Sequence, residues 1–369
     1  MRIGIGAIVG VLGGPATYAR ELTCALGRID SVNEYVVITD APERLGVSAP
    51  NVRCVRAPLG SPLLQPAWDH AWVPFFVRRA GIDLYHGTKG VLPVWAGCPA
   101  VVTIHDLAVY HQPETFAWLQ RVHLRAHTPL AIRRAVRVIA DSEDARRDIV
   151  DRFHVHPSRL AVVPLAAAPR FSASAAGDDE LIAQRLHLPA RFVLYAGTIQ
   201  PRKNVETLVA AFASLSQRNA TTELLVAGRL RPGYQPGFLK RLPPYVRYLG
   251  PVSDAELAVL YRRALALCSP SSYEGFGLSL LEAMSSGCVV VAGRNSSVPE
   301  LVDGCGILLS ELTVPALHDA LLQVINDPAS LGALRQRALE RAARYSWDET
   351  ARRTLAVYRE AMDDVRSAA

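Results

Sequence analysis

Long apolar runs are the first thing this chain lacks. No stretch reaches the ~18 consecutive apolar residues that a membrane-crossing helix needs, so an integral span is not expected. Lysine is scarce as well: only Lys89, Lys203 and Lys240 occur, so nearly all positive charge is arginine and the placement of any lysine is informative. The six cysteines (Cys24, Cys54, Cys98, Cys268, Cys288, Cys305) form no C-x-x-C pair, and several lie inside apolar runs. Buried thiols in a reducing, cytoplasmic compartment fit better than a disulfide framework or a zinc site. The pattern D-x-D is absent, so no divalent ion clamped by carboxylates onto a phosphate is expected. Low-complexity tracts are missing too, so both halves should fold.

What is present points to two domains. The chain has 369 residues, and single cores stop growing near ~250 to 300 residues. Residues 1–170 carry 19 Lys/Arg against 14 Asp/Glu and the remainder 21 against 20, and eight of the ten histidines lie in the first half. That mild, scattered excess suits an anionic ligand or membrane surface and is too weak for a nucleic-acid groove. The apolar start, MRIGIGAIVGVLGGPA, resembles a leader superficially; its glycines and immediate strand-helix pattern read as the first turn of a domain.

Strand-like runs alternate with helix-like segments almost throughout. RIGIGAIV, EYVVIT, VRCVRA, DLYHG, AVVTIHD and RVIADS mark the first half, and RFVLYAG, ELLVAG, VRYLG, ALALCS and CVVVAG the second. Short, continuously apolar strands between amphipathic helices predict parallel sheets covered on both faces, hence an α/β chain of two doubly wound, Rossmann-like domains. The pattern breaks in PLAAAPRFSASAAGDDE, residues 164–180, which we read as the hinge between a domain over 1–168 and another over 169–346. The tail, about 347–366, reads as an amphipathic helix with no strand after it.

In open parallel sheets ligands bind beyond the carboxyl ends of the strands, and four such places stand out. After the first strand, Gly13 and Gly14 precede a helix whose amides can face an anion, although a merely tight turn explains them equally. The G-x-G-x-x-G spacing of a dinucleotide site is not met, which disfavours an NAD-dependent oxidoreductase. After the fifth strand, His105 and Asp106 emerge together, with Tyr110 and His111 following; His86, in DLYHG, is a weaker companion candidate.

In YAGTIQPRKNVETL, Arg202 and Lys203 stand at a helix start, the end where cations are least welcome, so an anion between them and the helix is expected. A diphosphate fits, because Arg binds two oxygens through its fork and Lys adds a point charge. Finally, SYEGFGLSLLEAM places Glu274 in a turn and Glu282 about five residues into the next helix, ~8 Å further along. Two acids so separated cannot easily share a proton or a metal. They can accept hydroxyl hydrogen bonds from two polyols of one extended ligand, with phosphates between them against Phe276 and the Gly277 amide. A nucleotide sugar has that shape; an ordinary capped helix with two chance glutamates is the alternative.

Taken together, Gly13-Gly14, His105, PRKN at 201–204 and Glu274 through Glu282 with seven residues between resemble the retaining glycosyltransferases of family four, which have the GT-B fold, two such domains facing a central cleft. The likeness runs through essentially the whole chain, and TIHDL, ADSE and SWDETA are similar to segments of members that build bacterial polysaccharides or decorate natural products. The resemblance implies that Arg202 and Lys203 hold the donor diphosphate, that Glu282 takes the ribose hydroxyls and Glu274 those of the transferred sugar, and that backbone groups of Gly275, Phe276, Gly277 and Leu278 meet phosphate and sugar. It further implies that Gly13 and Gly14 close over the phosphates, that His105 touches the sugar near its reacting carbon, and that the last helix crosses back to the first domain.

The activity so implied is transfer of a hexosyl unit from a nucleoside diphosphate sugar, a GDP-mannose or a UDP-sugar, to an acceptor hydroxyl, with retention and without metal or other cofactor. Neither glutamate is a convincing nucleophile, so same-face departure and attack are preferred, with His105 stabilising the positive sugar. Glu274 is the second residue assigned to catalysis. Asp106, Tyr110 and His86 are the candidates for the acceptor, which is a glycan, a lipid-linked sugar or a small molecule. A nucleotide-sugar epimerase and a non-catalytic sugar-nucleotide sensor are the competing functions. Residues 62–79 and 116–137 mix Trp, Phe and Arg. Core helices with an arginine-bearing outer face are favoured there over interfacial helices, so membrane contact is expected to be peripheral at most.

Overall fold

The computed structural model describes residues 1–8, 13–47, 49–57, 68–93, 95–175, 177–216, 221–327 and 329–368; the glycine-turn residues 9–12 and the start of the aromatic segment, 62–67, lie outside them. The chain divides into two compact units, Met1–Leu165 with Ser346–Ala369, and Ala166–Tyr345.

In the first unit seven strands form one sheet: β1 (Arg2–Ala7), β2 (Glu34–Thr39), β3 (Val52–Arg56), β4 (Leu84–Gly87), β5 (Ala100–Ile104), β6 (Arg137–Ala140) and β7 (Leu160–Val162). Their order is β3-β2-β1-β4-β5-β6-β7, with every pairing parallel. β4 and β5 are buried at each position, which is why they read as continuous apolar runs. The second unit repeats the plan with β8 (Phe192–Ala196), β9 (Glu223–Ala227), β10 (Val246–Gly250), β11 (Ala266–Ser269), β12 (Val289–Gly293) and β13 (Ile307–Leu309), ordered β10-β9-β8-β11-β12-β13. β7 and β13 are not apparent from sequence. Each is a three-residue, half-buried edge strand, too short to show a pattern.

The helices start where local chemistry allows. In the first unit α1 (Gly14–Ile29) opens at Gly13, α2 (Val73–Arg79) and α3 (Trp118–Arg134) follow, and α4 (Glu143–Phe153) is capped by Ser142, whose Oγ accepts from the Ala145 amide at 3.1 Å. In the second unit come α5 (Val205–Ser216), α6 (Asp254–Arg263) with a Ser253–Glu256 capping box, and α7 (Leu278–Ser285).

The terminal helix α8 (Trp347–Ala368) belongs to the first unit. Arg28 of α1 pairs with its Asp348, and Arg137 at the start of β6 binds Asp364 at 2.8 Å. Tyr358 is fully buried, and its hydroxyl meets His86 Nδ1 at 2.7 Å.

Each sheet reverses its order once, between β1 and β4 in the first unit and between β8 and β11 in the second. A crevice opens at such a reversal because the connections leave it toward opposite faces. The loops after β1 and β4 carry Gly13 and Thr88, and those after β8 and β11 carry Arg202, Lys203 and Glu274.

Because Tyr358 fills core volume and satisfies His86, Tyr358→Ala is expected to destabilise the chain by about 3–5 kcal/mol, and Tyr358→Phe by about 1–3 kcal/mol through the unpaired imidazole nitrogen. Urea unfolding monitored by tryptophan fluorescence measures both; a Phe variant as stable as the parent would remove the hydrogen bond from the account.

Candidate active site

In the second unit Arg202 and Lys203 lie in a single 3-10 turn, Pro201–Lys203, closed by Asn204 in the left-handed region at φ 53°. Asn204 accommodates that backbone because its side chain hydrogen-bonds locally, here with Thr207 Oγ1 at 2.6 Å. The turn is sewn to the loop after β11: the Ser272 amide donates to the Arg202 carbonyl at 3.0 Å, its hydroxyl donates there at 3.1 Å, and the Arg202 guanidinium donates to the Tyr273 carbonyl. Between the two loops sits Glu274, buried at 7% exposure. Lys203 Nζ donates to its Oε1, and an Arg202 nitrogen lies 3.7 Å from its Oε2. Burial alone would raise the Glu274 pKa, but the Lys203 and Arg202 charges outweigh it and hold the carboxyl below its ordinary range. The acid is ionised at neutral pH.

The backbone around Glu274 is fixed by the loop after β12. Ser296 Oγ accepts from the Glu274 amide at 2.8 Å, Ser297 Oγ donates to the Glu274 carbonyl at 2.8 Å, and Asn295 Nδ2 reaches the Ser271 carbonyl at 3.0 Å. Gly275 and Phe276 continue the turn, with the Phe276 ring edge-on to Tyr345 at 6.0 Å. Gly277 caps α7 at φ 91°, a backbone that a side chain strains, and an added Cβ would come within 3.0 Å of Leu280. Leu278 is the first residue of α7 and Glu282 the fifth; Glu282 is buried, and the Tyr261 hydroxyl approaches its Oε2 at 3.4 Å. Arg202, Lys203 and Glu274 are therefore in contact, whereas Glu282 lies further along the same helix with a different partner.

In the first unit the centre is His105, just beyond β5. Its Nδ1 lies 2.6 Å from Asp141 Oδ2 and its Nε2 2.8 Å from the Thr88 carbonyl. A carbonyl only accepts, so Nε2 carries a proton, and an ionised Asp141 requires one on Nδ1 as well. Burial by itself would lower the His105 pKa; the Asp141 charge, its hydrogen bond and the Thr88 carbonyl outweigh it, and the pKa is raised. Asp141 beside it thus favours the charged form of the buried His105 ring.

His105 stands just beyond β5, where it was expected, with its ring nitrogens engaged by Asp141 and the Thr88 carbonyl. Gly13, at φ 110°, opens α1 and accepts from the Ala16 and Thr17 amides at 3.0 and 3.1 Å, and open space surrounds Gly14 where a side chain would stand.

One acceptor assignment does not hold. His86 is completely buried, with Nδ1 on Tyr358 and Nε2 2.8 Å from Thr103 Oγ1, and burial drives its pKa down to about 3. It is a neutral core histidine that no acceptor can reach. Tyr110 spends its hydroxyl on the Arg125 carbonyl at 3.2 Å, and the Arg125 and Arg152 guanidinium carbons lie 5.5 and 5.0 Å from its ring centre. Asp106 shapes the turn after His105, accepting from the Ala108 amide at 2.9 Å.

Sequence reasoning missed Asp141, Thr88, Asn295, Ser296, Ser297 and Arg231. The last lies in the loop after β9, where burial first and then the charge of Arg202 lower its pKa, placing a third cation beside the pair. Asp141 follows β6 and Ser296 follows β12, so the same carboxyl-end rule that singled out His105 and Glu274 reaches them when applied to every strand.

Two parallel sheets, each covered by helices and each carrying polar loops at its carboxyl edge, define the GT-B class of α/β proteins. Residues 178–344 match the family described as Glycosyl transferases group 1, and residues 12–168 that described as Glycosyltransferase Family 4. O-antigen chain mannosyltransferase B of Escherichia coli is 29% identical over 283 residues, 75% of this chain and 74% of that protein. MMP alpha-(1->4)-mannosyltransferase of Mycolicibacterium hassiacum is 30% identical over 310 residues, 77% and 72% respectively. The fold is shared with Anabaena HepE, solved in complex with UDP and glucose, at TM-score 0.77 and 20% identity over 96% of this chain and 98% of that one. The chain belongs to glycosyltransferase family 4 and is a glycosyltransferase.

The Asp141–His105 geometry carries a titration prediction. Asp141→Asn removes the main force raising the imidazole pKa, so that pKa should fall below the ordinary histidine value. In the parent the pair's stabilisation is complete below the unfolded histidine pKa of about 6.5 and is lost as pH rises through the higher folded value. NMR titration of the His105 ring in both proteins checks the shift; identical midpoints would show that Asp141 does not set it.

Proposed function

We propose that the enzyme moves a hexosyl unit from a nucleoside diphosphate sugar to an acceptor hydroxyl, with retention at the anomeric carbon and without a metal. The observation that carries the reading is the buried Glu274 carboxylate gripped by Lys203 and Arg202 at the reversal of the second sheet, with Arg231 adjacent. Three cations beside one acid leave a local positive excess suited to a diphosphate. On binding, the diphosphate competes for Lys203 and Arg202 and releases Glu274 oxygens to accept sugar hydroxyls. Glu282, five residues into α7, takes the ribose, and the amides from Gly275 to Leu278 face phosphate and sugar at a helix N-terminus. Gly13 and Gly14 offer the corresponding helix start in the first unit, and Asp106 is kept for the acceptor.

In the chemical step the bond between the anomeric carbon and the phosphate oxygen breaks, its electron pair leaving with the phosphate. The acceptor hydroxyl bonds to the same face of the sugar, and its proton passes to the departing phosphate oxygen. Arg202, Lys203 and Arg231 stabilise the charge that develops there, as preorganised cations do better than water. Two of the relatives are mannosyltransferases, which favours mannose on GDP as donor over a UDP-sugar. The acceptor is a hydroxyl of a glycan or lipid-linked sugar, and contact with a membrane is peripheral. No described helix is long and apolar enough to cross one.

Arg202→Ala and Lys203→Ala should each weaken donor binding by about 1.5–3 kcal/mol, a factor of roughly 10 to 150. Thermal stabilisation by GDP-mannose, UDP-glucose and the free nucleotides reads this out and ranks the donors. Undiminished stabilisation in both variants would place the diphosphate elsewhere. Turnover in excess EDTA should equal turnover with added magnesium, and its abolition would refute the metal-free step.

A further inference from the structure

α3 has a composition unlike the other helices. Over Trp118–Arg134 it carries four arginines and two histidines and no acid. Its inner face is set by Thr128, Ala131 and Ile132, which are buried. The outer face is not the purely arginine-bearing surface expected from sequence. Leu119, Val122, Ala126 and Leu130 fall at i, i+3, i+7 and i+11 on one exposed stripe, and Leu119, Val122 and Leu130 are 64%, 47% and 50% exposed. Trp118 stands at its start, 64% exposed. Apolar residues therefore stand on both faces of this helix.

The charges around the stripe are of one sign. Arg121, Arg125, Arg133 and Arg134 pair with no carboxylate among the described residues. At the carboxyl end of α3 a recess of about 320 Å³ is lined by Arg133, Arg152, Arg159 and His154, with Phe153 and Pro129 and no acid. Arg159 is held in place by donating to the Ile132 carbonyl at 2.8 Å and to that of Ala135, so its cation is fixed at the wall of the recess. On the same helix, His127 stacks on His70 at 4.3 Å between ring centres, with His123 tilted beside both, which joins α3 to the segment leading into α2, where Phe75, Arg78 and Arg79 are exposed.

We infer that the outer face of α3 docks on an anionic phospholipid bilayer, the Leu119–Leu130 stripe with Trp118 entering the interface and the arginine recess taking a headgroup phosphate. From Leu119 to Arg133 the stripe and the adjoining recess span ~20 Å along the helix axis, so the helix rests in the plane of the surface rather than piercing it. A water-facing helix gains nothing from four large apolar groups in one row. Unpaired arginines flanking that row match the negative leaflet, and tryptophan is the residue that settles at the boundary between headgroups and acyl chains. The enzyme's proposed peripheral association, on which this inference rests, thereby has a definite surface.

Flotation of the full chain with vesicles of phosphatidylcholine, with and without phosphatidylglycerol, tests it. The parent should float with the anionic vesicles and not with phosphatidylcholine alone, and added salt should weaken binding. L119E/V122E and R133E/R152E should each lower the apparent affinity about tenfold or more. All four side chains belong to the first unit, whereas Arg202, Lys203, Glu274 and Glu282 belong to the second, so thermal stabilisation by the nucleotide sugar should be unchanged in both variants; its loss in the parent as well would count against the donor reading instead. Equal flotation of parent and variants, no flotation with any vesicle, self-association abolished by L119E/V122E, or protection by inorganic phosphate without vesicle binding would each overturn the membrane surface.

Discussion

Everything at the carboxyl edge of the second sheet is arranged around one unfavourable fact: a carboxylate sits out of water. An ionised glutamate buried alone costs several kcal/mol and would protonate instead. Glu274 stays charged because Lys203 and Arg202 meet it from the turn after β8, the strand beside β11 at the sheet reversal. The pairing dictates the rest of the local fold. The turn must present both cations at once, which Pro201 and the left-handed Asn204 achieve in three residues. The Glu274 backbone must not swing, and the serines after β12 clamp its amide and carbonyl. With Arg231 adjacent, the cations exceed the acid, so the cluster is stable as it stands and more stable with an anion added.

The first unit solves a similar problem with different residues. Asp141 is buried beyond β6, with one oxygen on His105 and the other without a hydrogen-bond partner among the described residues. Protonating His105 compensates that charge, and the second ring proton fastens the Thr88 carbonyl of the loop after β4. Beneath it Tyr358, His86, Thr103 and Tyr18 form a buried chain of hydrogen bonds that ties the terminal helix to the sheet. Tyr18 also lies edge-on to His105, 4.8 Å between ring centres. Loops at two strand ends are thus positioned by a charge pair, while a neutral polar chain below it supplies rigidity.

The parallel sheets were legible because buried strands repeat apolar residues without alternation, and the two edge strands escaped because three half-buried residues carry no pattern. Glu274, Arg202 and Lys203 were legible because carboxyl-end position, glycine punctuation and cation scarcity converge on them. Their mutual contact was not, since it depends on β8 and β11 being neighbours across 71 residues of chain. His86 misled for a related reason. A histidine in a strand looks the same whether it faces solvent or a tyrosine from a helix 272 positions away. The setting of Tyr110 was not legible either, since its ring faces two arginines that come from α3 and α4.

The charges also bear on where the barrier to glycosyl transfer can be lowered. Breaking the bond from sugar to phosphate creates a positive centre on the ring and a negative one on the leaving group. The His105–Asp141 pair carries little net charge whichever partner holds the proton between them, so it presents a dipole rather than a charge. The excess of cations lies instead with Arg202, Lys203 and Arg231. Under the proposed function, stabilisation falls mainly on the departing phosphate, and the same oxygen, still partly anionic, serves as the base for an incoming hydroxyl on that face. That proposal asks for no protein nucleophile and gives the carboxylates the separate work of holding hydroxyls, a task for which Lys203 and Arg202 keep Glu274 ionised.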